Sequence, residues 1–262
     1  AQPLPPLLVT ALAFAVGGGL ALALVALRGG RAGLAAALRQ PPLAWAHGVA
    51  GLGGYHALYF AALALAPAVE ANLLNYTWPL LIVLLAAPIR GLPLGPQRLA
   101  GVGLGAAGAA LLLGGGAGFP GWAWPGFVCA LAASLTWALY SVLAGTPRLA
   151  KVPTESVAGF CLAAAALCGL GHGLFEPAAT VTAGQGIAIL LLGLGPMGAA
   201  FFLWDLGMKR GDPRLLGTLA YATPVASTAV LMLLGEGAPT PRVLAALALV
   251  TGGGLIAARA GR

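Results

Sequence analysis

Apolar residues run along this chain in blocks of about twenty, and charged residues gather at the joints between them. With prolines and charge clusters as boundaries, nine blocks are long enough to cross a bilayer as helices: 5–27, 43–65, 67–88, 98–116, 121–144, 154–175, 184–207, 212–235 and 241–260. Hydrocarbon offers the backbone no hydrogen-bonding partner, so helix is the form expected of each. The joints are too short for a separate soluble domain. One stretch breaks the monotony of Ala, Leu, Gly and Val. Gly53 to Pro79, GGYHALYFAALALAPAVEANLLNYTWP, holds three of the five tyrosines, a histidine, a glutamate and a tryptophan. Such groups are costly at membrane depth unless they face a cavity or a partner helix.

Composition sharpens the membrane reading. Of 262 residues 60% are hydrophobic and only 7% charged, against about 25% charged in soluble domains. The net charge of +7 does not form a basic face, so no nucleic-acid partner is expected. The 41 glycines and 20 prolines suit close helix packing and kinks. Cys129, Cys161 and Cys168 all lie in apolar blocks without a C-x-x-C pair, so they read as small buried side chains. No metal or cofactor is expected. The first residues lack the basic region of a cleavable signal.

The positions of Lys and Arg set an orientation. Arg28, Arg31, Arg39, Arg90, Arg98, Arg148, Lys151, Lys209, Arg210, Arg214, Arg259 and Arg262 fall in alternate joints, and Arg242 alone falls in the others. The basic joints are therefore expected in the cytoplasm, with the C-terminus. That places residue 1 outside, and one more helix upstream would repair this, giving a ten-helix protein whose first span is absent from the sequence.

An internal repeat agrees. Sliding the chain by 145 residues puts Gly53 on Gly198, Tyr59 on Trp204, Tyr76 on Tyr221, Pro79 on Pro224 and Pro96 on Pro241. The unit would be five helices, and an odd number inverts the second copy. The expected fold is all-α, with a first repeat over 1–120 and an inverted second repeat over 121–262. Inverted repeats around a midplane site are a transporter architecture.

At this point the sequence resembles the drug/metabolite transporter superfamily, in its ten-helix EamA-type branch. A Pro-bearing aromatic stretch followed by a Gly-rich helix recurs in both halves. Trp137-Ala138-Leu139-Tyr140 is similar to the signature that opens the family's second half, and Gly235-Glu236 ahead of Pro241 to its G-E at the ninth helix end. Asn75-Tyr76-Thr77-Trp78-Pro79, with Tyr55-His56 upstream, looks more specifically like the exporters of aromatic amino acids. The sequence departs from the pattern in lacking the first helix and in carrying Gly91 where the counterpart of Glu236 would stand. The resemblance implies export from the cytoplasm across a bacterial inner membrane.

The candidate substrate-binding residues are Tyr55, His56, Tyr59, Asn75, Tyr76, Trp78 and Pro79, with Trp137 and Tyr221 across from them. Tyr55 and Tyr59 share a helix face, as would Asn75 and Trp78. His56 lies mid-helix, where it reads as a substrate contact, a proton site, or a histidine bonded to a neighbouring helix. Pro79 removes a backbone donor and should bend its helix beside Trp78. Trp45, Trp122 and Trp124 read as interfacial anchors. Asp205 is expected to pair with Lys209, and Glu70 and Glu236 to cap helices.

Aromatic rings, an imidazole and an amide, with no Lys or Arg at depth, suit aromatic or hydrophobic amino acids. The expectation is a monomeric exporter working by alternating access; the alternative is broad efflux of hydrophobic or cationic drugs. His47, His56 and His172 have no acid nearby in this reading, so an intramembrane enzyme is not expected. A scaffold without a substrate of its own would have an all-apolar lumen.

Overall fold

The computed structural model describes residues 4–91, 94–113, 121–210, 222–235 and 238–259. Every regular element among them is helical. In chain order these are α1 (Pro6–Leu38), α2 (Pro42–Val49), a π-turn (Ala50–Gly54), α3 (Tyr55–Leu65), α4 (Ala68–Asn75), α5 (Trp78–Arg90), α6 (Pro96–Leu113), a short 3-10 turn (Gly121–Ala123) and α7 (Trp124–Ala144). Then follow α8 (Ser156–Phe175), α9 (Ala183–Leu194), a second π-turn (Gly195–Ala199), α10 (Ala200–Arg210), α11 (Ala222–Leu233) and α12 (Pro241–Arg259). Among the described residues six helical segments are long and apolar enough to cross a membrane: Pro6–Leu38, Pro42–Leu65, Ala68–Arg90, Gly121–Ala144, Ser156–Phe175 and Ala183–Leu206. The early part of the expected 212–235 span lies outside the described residues.

Prolines set many of the starts. Pro6, Pro42, Pro79 and Pro125 sit in the first turns of their helices, where the missing N–H has no helical partner to lose. The first helix runs further than expected, to Leu38 rather than residue 27. It is broken at Gly30, whose φ of 55° and ψ of −147° are open to glycine and not to other residues. The registers of the two π-turns coincide. Ala50 and Gly195 are 145 residues apart, as are Gly54 and Ala199 and the helix-opening prolines Pro96 and Pro241.

The chain packs as two compact units. The first combines Ala1–Phe60 with Pro147–Gly211. Within it α1 and α8 run antiparallel: a Cβ at Gly171 would lie 3.1 Å from Leu7, and one at Gly18 would lie 2.9 Å from the Cβ of Cys161. α1 also meets the second π-turn, where Gly17, Gly193 and Gly198 touch backbone to backbone. α8 meets the first π-turn through Gly53, over Ala164, and α2 through Gly48, under the ring of Phe160. Trp45, expected as an interfacial anchor, stands edge-on to that same ring with centroids 5.1 Å apart.

The second unit combines Ala61–Thr146 with Asp212–Arg262. Its apolar core gathers Val69, Leu73, Leu74, Phe127, Val243 and Ala246. α6 and α12 run antiparallel in backbone contact. A Cβ on Gly101 would sit 2.4 Å from the carbonyl oxygen of Gly253, and one on Gly253 equally close to that of Gly101. Trp122 and Trp124 are exposed, as interfacial anchors must be.

One polar expectation changes. His172 does have an acid beside it, since its Nδ1 lies 2.9 Å from Glu176 Oε2, one turn on. The same carboxylate accepts the backbone N–H groups of Leu7 at 2.9 Å and Leu8 at 3.2 Å. Glu176 thus caps α1 from a distant part of the chain, satisfying donors that the first turn of a helix leaves open. Asp205 accepts the hydroxyl of Thr154; the side chain of Lys209, its expected partner, lies outside the described residues. Glu70 does sit in the first turn of α4.

Two tests follow from this packing. Gly101→Leu forces a side chain into the Gly253 backbone and is expected to destabilise the protein by about 1–3 kcal/mol or more. Gly103→Leu on the same helix enters open space and should leave the thermal midpoint in detergent nearly unchanged. Glu176→Ala strips the cap from Leu7 and Leu8 and is expected to lose about 1.5–3 kcal/mol, read from the same melting curves.

Candidate functional site

The candidate residues assemble into two aromatic groups, one within each unit. The first follows the π-turn at Ala50–Gly54. A π-turn carries one residue more than an α-turn and so re-aims the side chains after it. Tyr55 and Tyr59 emerge stacked, with ring centroids 6.0 Å apart and planes only 3° from parallel. This is the shared face expected of an i, i+4 pair.

His56 is buried beside them. Its Nδ1 lies 2.9 Å from the carbonyl oxygen of Leu52, within the π-turn. Tyr55 stands perpendicular to the imidazole at 4.6 Å. Two further rings enclose it. Phe14 of α1 lies at 5.2 Å and 82°, and Phe201 of α10 at 5.3 Å and 87°. Of the readings open for His56, a bond to a neighbouring helix is not the one found: its hydrogen bond is to its own backbone, and its neighbours supply rings.

Neither Phe14 nor Phe201 was among the residues expected at the site. Phe14 is a lone aromatic in an apolar block, and nothing local distinguishes it. Phe201 did have a signal, because the 145-residue shift carries His56 onto it.

The second group forms where α4 gives way to α5. The helix is interrupted at Tyr76 and Thr77. Pro79 has no N–H to offer the Asn75 carbonyl, and the backbone reorganises around that loss. Thr77 N–H turns to Leu74 O at 3.1 Å, and Leu80 N–H to Thr77 O at 3.0 Å, both tighter than α-helical bonds. The break lies directly ahead of Trp78.

Side chains pin the break. The Thr77 hydroxyl donates to Leu74 O at 2.8 Å. Having one proton, it leaves Ser134 of α7 to donate to it, also at 2.8 Å. Asn72 donates to Ser227 of α11 at 3.1 Å, and the Tyr76 hydroxyl bonds the same serine. These bonds give the Asn72 amide and the Thr77 and Ser134 hydroxyls partners within the apolar interior.

Those bonds hold Trp78 against Trp137 of α7. Both indoles are largely buried, and they meet edge-on at 6.4 Å and 82°. Tyr140, one turn from Trp137, lies over its ring at 5.2 Å and 30°. Asn75 and Pro79 are buried alongside, and Tyr221 lies outside the described residues. Trp204 sits half-buried on α10.

Each group presents π faces, and the side chains that supply polarity are hydroxyls, amides, indoles and one imidazole. Such surfaces hold planar rings by stacking and ammonium groups over a π face. No cluster of three metal-ligating side chains occurs among the described residues.

The same pattern of sequence and fold is found in known proteins. Residues 1–114 and 124–258 match the EamA-like transporter family. The aromatic amino acid exporter YddG of Ancylobacter novellus is 50% identical over 256 residues, covering 97% of this chain and 88% of that protein. A protein crystal structure with 47% sequence identity has a TM-score of 0.76 and covers 98% of this chain and 88% of that one. Apolar helices of spanning length and a family match over most of the sequence make this a multi-pass membrane protein that transports rather than catalyses: the chain belongs to the EamA-like transporter family.

Proposed function

We propose that this protein exports aromatic and related hydrophobic amino acids across the bacterial inner membrane. The observation that carries the reading is the pair of aromatic groups, buried His56 with partly buried Tyr55 and Tyr59, and buried Trp78 with Trp137. They offer stacking faces and hydrogen-bonding edges where the rest of the chain offers alkyl groups. The name of the half-identical exporter from Ancylobacter novellus points the same way. Tyr55, His56, Tyr59, Asn75, Tyr76, Trp78, Pro79, Trp137 and Tyr221 are the residues assigned to the substrate.

Movement is by alternating access between two inverted repeats, 1–120 and 121–262, with the basic joints and the C-terminus in the cytoplasm. Several features support the repeat. The two π-turns occupy equivalent registers. The 145-residue shift carries α6 onto α12 and much of α1 onto α8, and each of these pairs packs antiparallel. The family matches the chain as two segments on either side of residue 120. Antiparallel packing of equivalent helices is what an inverted duplication requires.

A second reading, broad efflux of lipophilic cations, draws on the same π faces, since a cation can sit over an indole. Purified protein in liposomes separates the two. Labelled tryptophan is expected to cross, with unlabelled phenylalanine competing and tetraphenylphosphonium competing weakly. Flux of the cation without flux of tryptophan would reverse the assignment. In the same assay His56→Ala and Trp78→Ala should each cut tryptophan flux roughly tenfold, the usual loss when a buried aromatic anchor is truncated. Unchanged flux in both would remove these residues from the substrate path.

A further inference from the structure

Resting on the reading that His56 meets the substrate, we propose that Phe14 and Phe201 are positioning residues, which clamp His56 so that Nε2 is a fixed hydrogen-bond acceptor for an N–H of the transported solute. The argument begins at the other nitrogen. A carbonyl oxygen can only accept, so the 2.9 Å contact from Nδ1 to Leu52 O requires the proton on Nδ1. In the neutral ring the lone pair then belongs to Nε2. That atom makes no hydrogen bond among the described residues, and no ion pair there involves His56. The side chain is only 7% exposed. Nε2 is not among the fully buried polar atoms that lack a partner, so the lone pair keeps an opening through which a donor can reach it.

Turning the imidazole over would exchange carbon for nitrogen at both edges and break the Leu52 bond. The two phenyl rings add to that restraint by hindering the turn itself. They lie nearly parallel to each other, 28° apart in plane with centroids at 6.2 Å. The imidazole stands close to perpendicular to both. Phe14 is fully buried, and Gly17 and Gly18, within a turn of it, seat α1 against the second π-turn and α8. The clamp is therefore as rigid as the first unit itself. Phe201 is also the residue onto which the 145-residue shift carries His56. The two equivalent positions meet, and only one of them bears a nitrogen. The protein thus has one acceptor here rather than a matched pair.

The test uses purified protein in liposomes with labelled tryptophan. Glutamine places its amide near Nε2 of histidine and asparagine near Nδ1. His56→Gln is expected to keep flux within about threefold of the parent, and His56→Asn to fall with His56→Ala. Phe14→Leu and Phe201→Leu keep most of the packing volume but lose the ring. Each should raise the half-saturating tryptophan concentration roughly three- to tenfold, the equivalent of one aromatic pair, with little change in maximal rate.

An independent readout is the ¹⁵N spectrum of histidine-labelled protein, with His56 assigned as the signals lost in His56→Gln. The parent should show one tautomer, protonated at Nδ1, and the two Phe variants a mixture. An Nε2-protonated or averaging ring in the parent would overturn the proposal. So would equal loss in the Gln and Asn variants, or Phe variants with unaltered half-saturation and tautomer. Absence of tryptophan flux in the parent would instead remove the substrate assignment, leaving the spectrum to decide the clamp.

Discussion

Backbone-to-backbone contact between helices is the constraint on which the rest of this protein depends. Lipid tails are as apolar as leucine, so helices in a bilayer gain little by hiding alkyl groups from them. What holds them is close dispersion contact, and that needs side chains out of the way. Gly101 against Gly253, and Gly17 against Gly193 and Gly198, meet this need with no side chain at all. With the helices so close, the few large residues between them have little freedom. Phe14 and the rings around His56, and Trp78 against Trp137, take their geometry from that closeness.

Polar satisfaction is the second requirement, met by local devices. Glu176 answers the open N–H groups of α1. Thr77 answers Leu74 where Pro79 disturbs the helix. Ser227 accepts from Asn72 and bonds Tyr76. These bonds are between neutral groups apart from Glu176, which lies just past the end of α8. A protein with so few charges keeps them at the margins and does its interior work with hydroxyls and amides.

Much of this could be read from the sequence because bilayer physics imposes a coarse code. Twenty-residue apolar blocks gave the helices, and the i, i+4 spacing of Tyr55 and Tyr59 gave their stack. Pro79 announced a disturbance beside Trp78, and the helix does break there, at Tyr76 and Thr77, where the Asn75 carbonyl loses its donor. The long α1 was missed because Arg28 and Arg31 read as a terminus, whereas the chain resumes helix after Gly30. The Glu176 cap is a contact across some 170 residues, which no local pattern reports. Phe14 carries no contrast in its block. Phe201 is marked by the repeat, which carries His56 onto it, and not by polarity, the signal that singles out the other site residues.

The π-turn at Ala50–Gly54 has one more consequence. A helical wheel drawn straight through Pro42–Leu65 assigns every residue to a lipid-facing or protein-facing side on a single phase. The extra residue shifts that phase by about 100°. Wheel positions are then out of step with one another on either side of Gly54. An accessibility scan along this span would lose its period in the middle and regain it displaced, and the residues just past the slip are Tyr55 and His56.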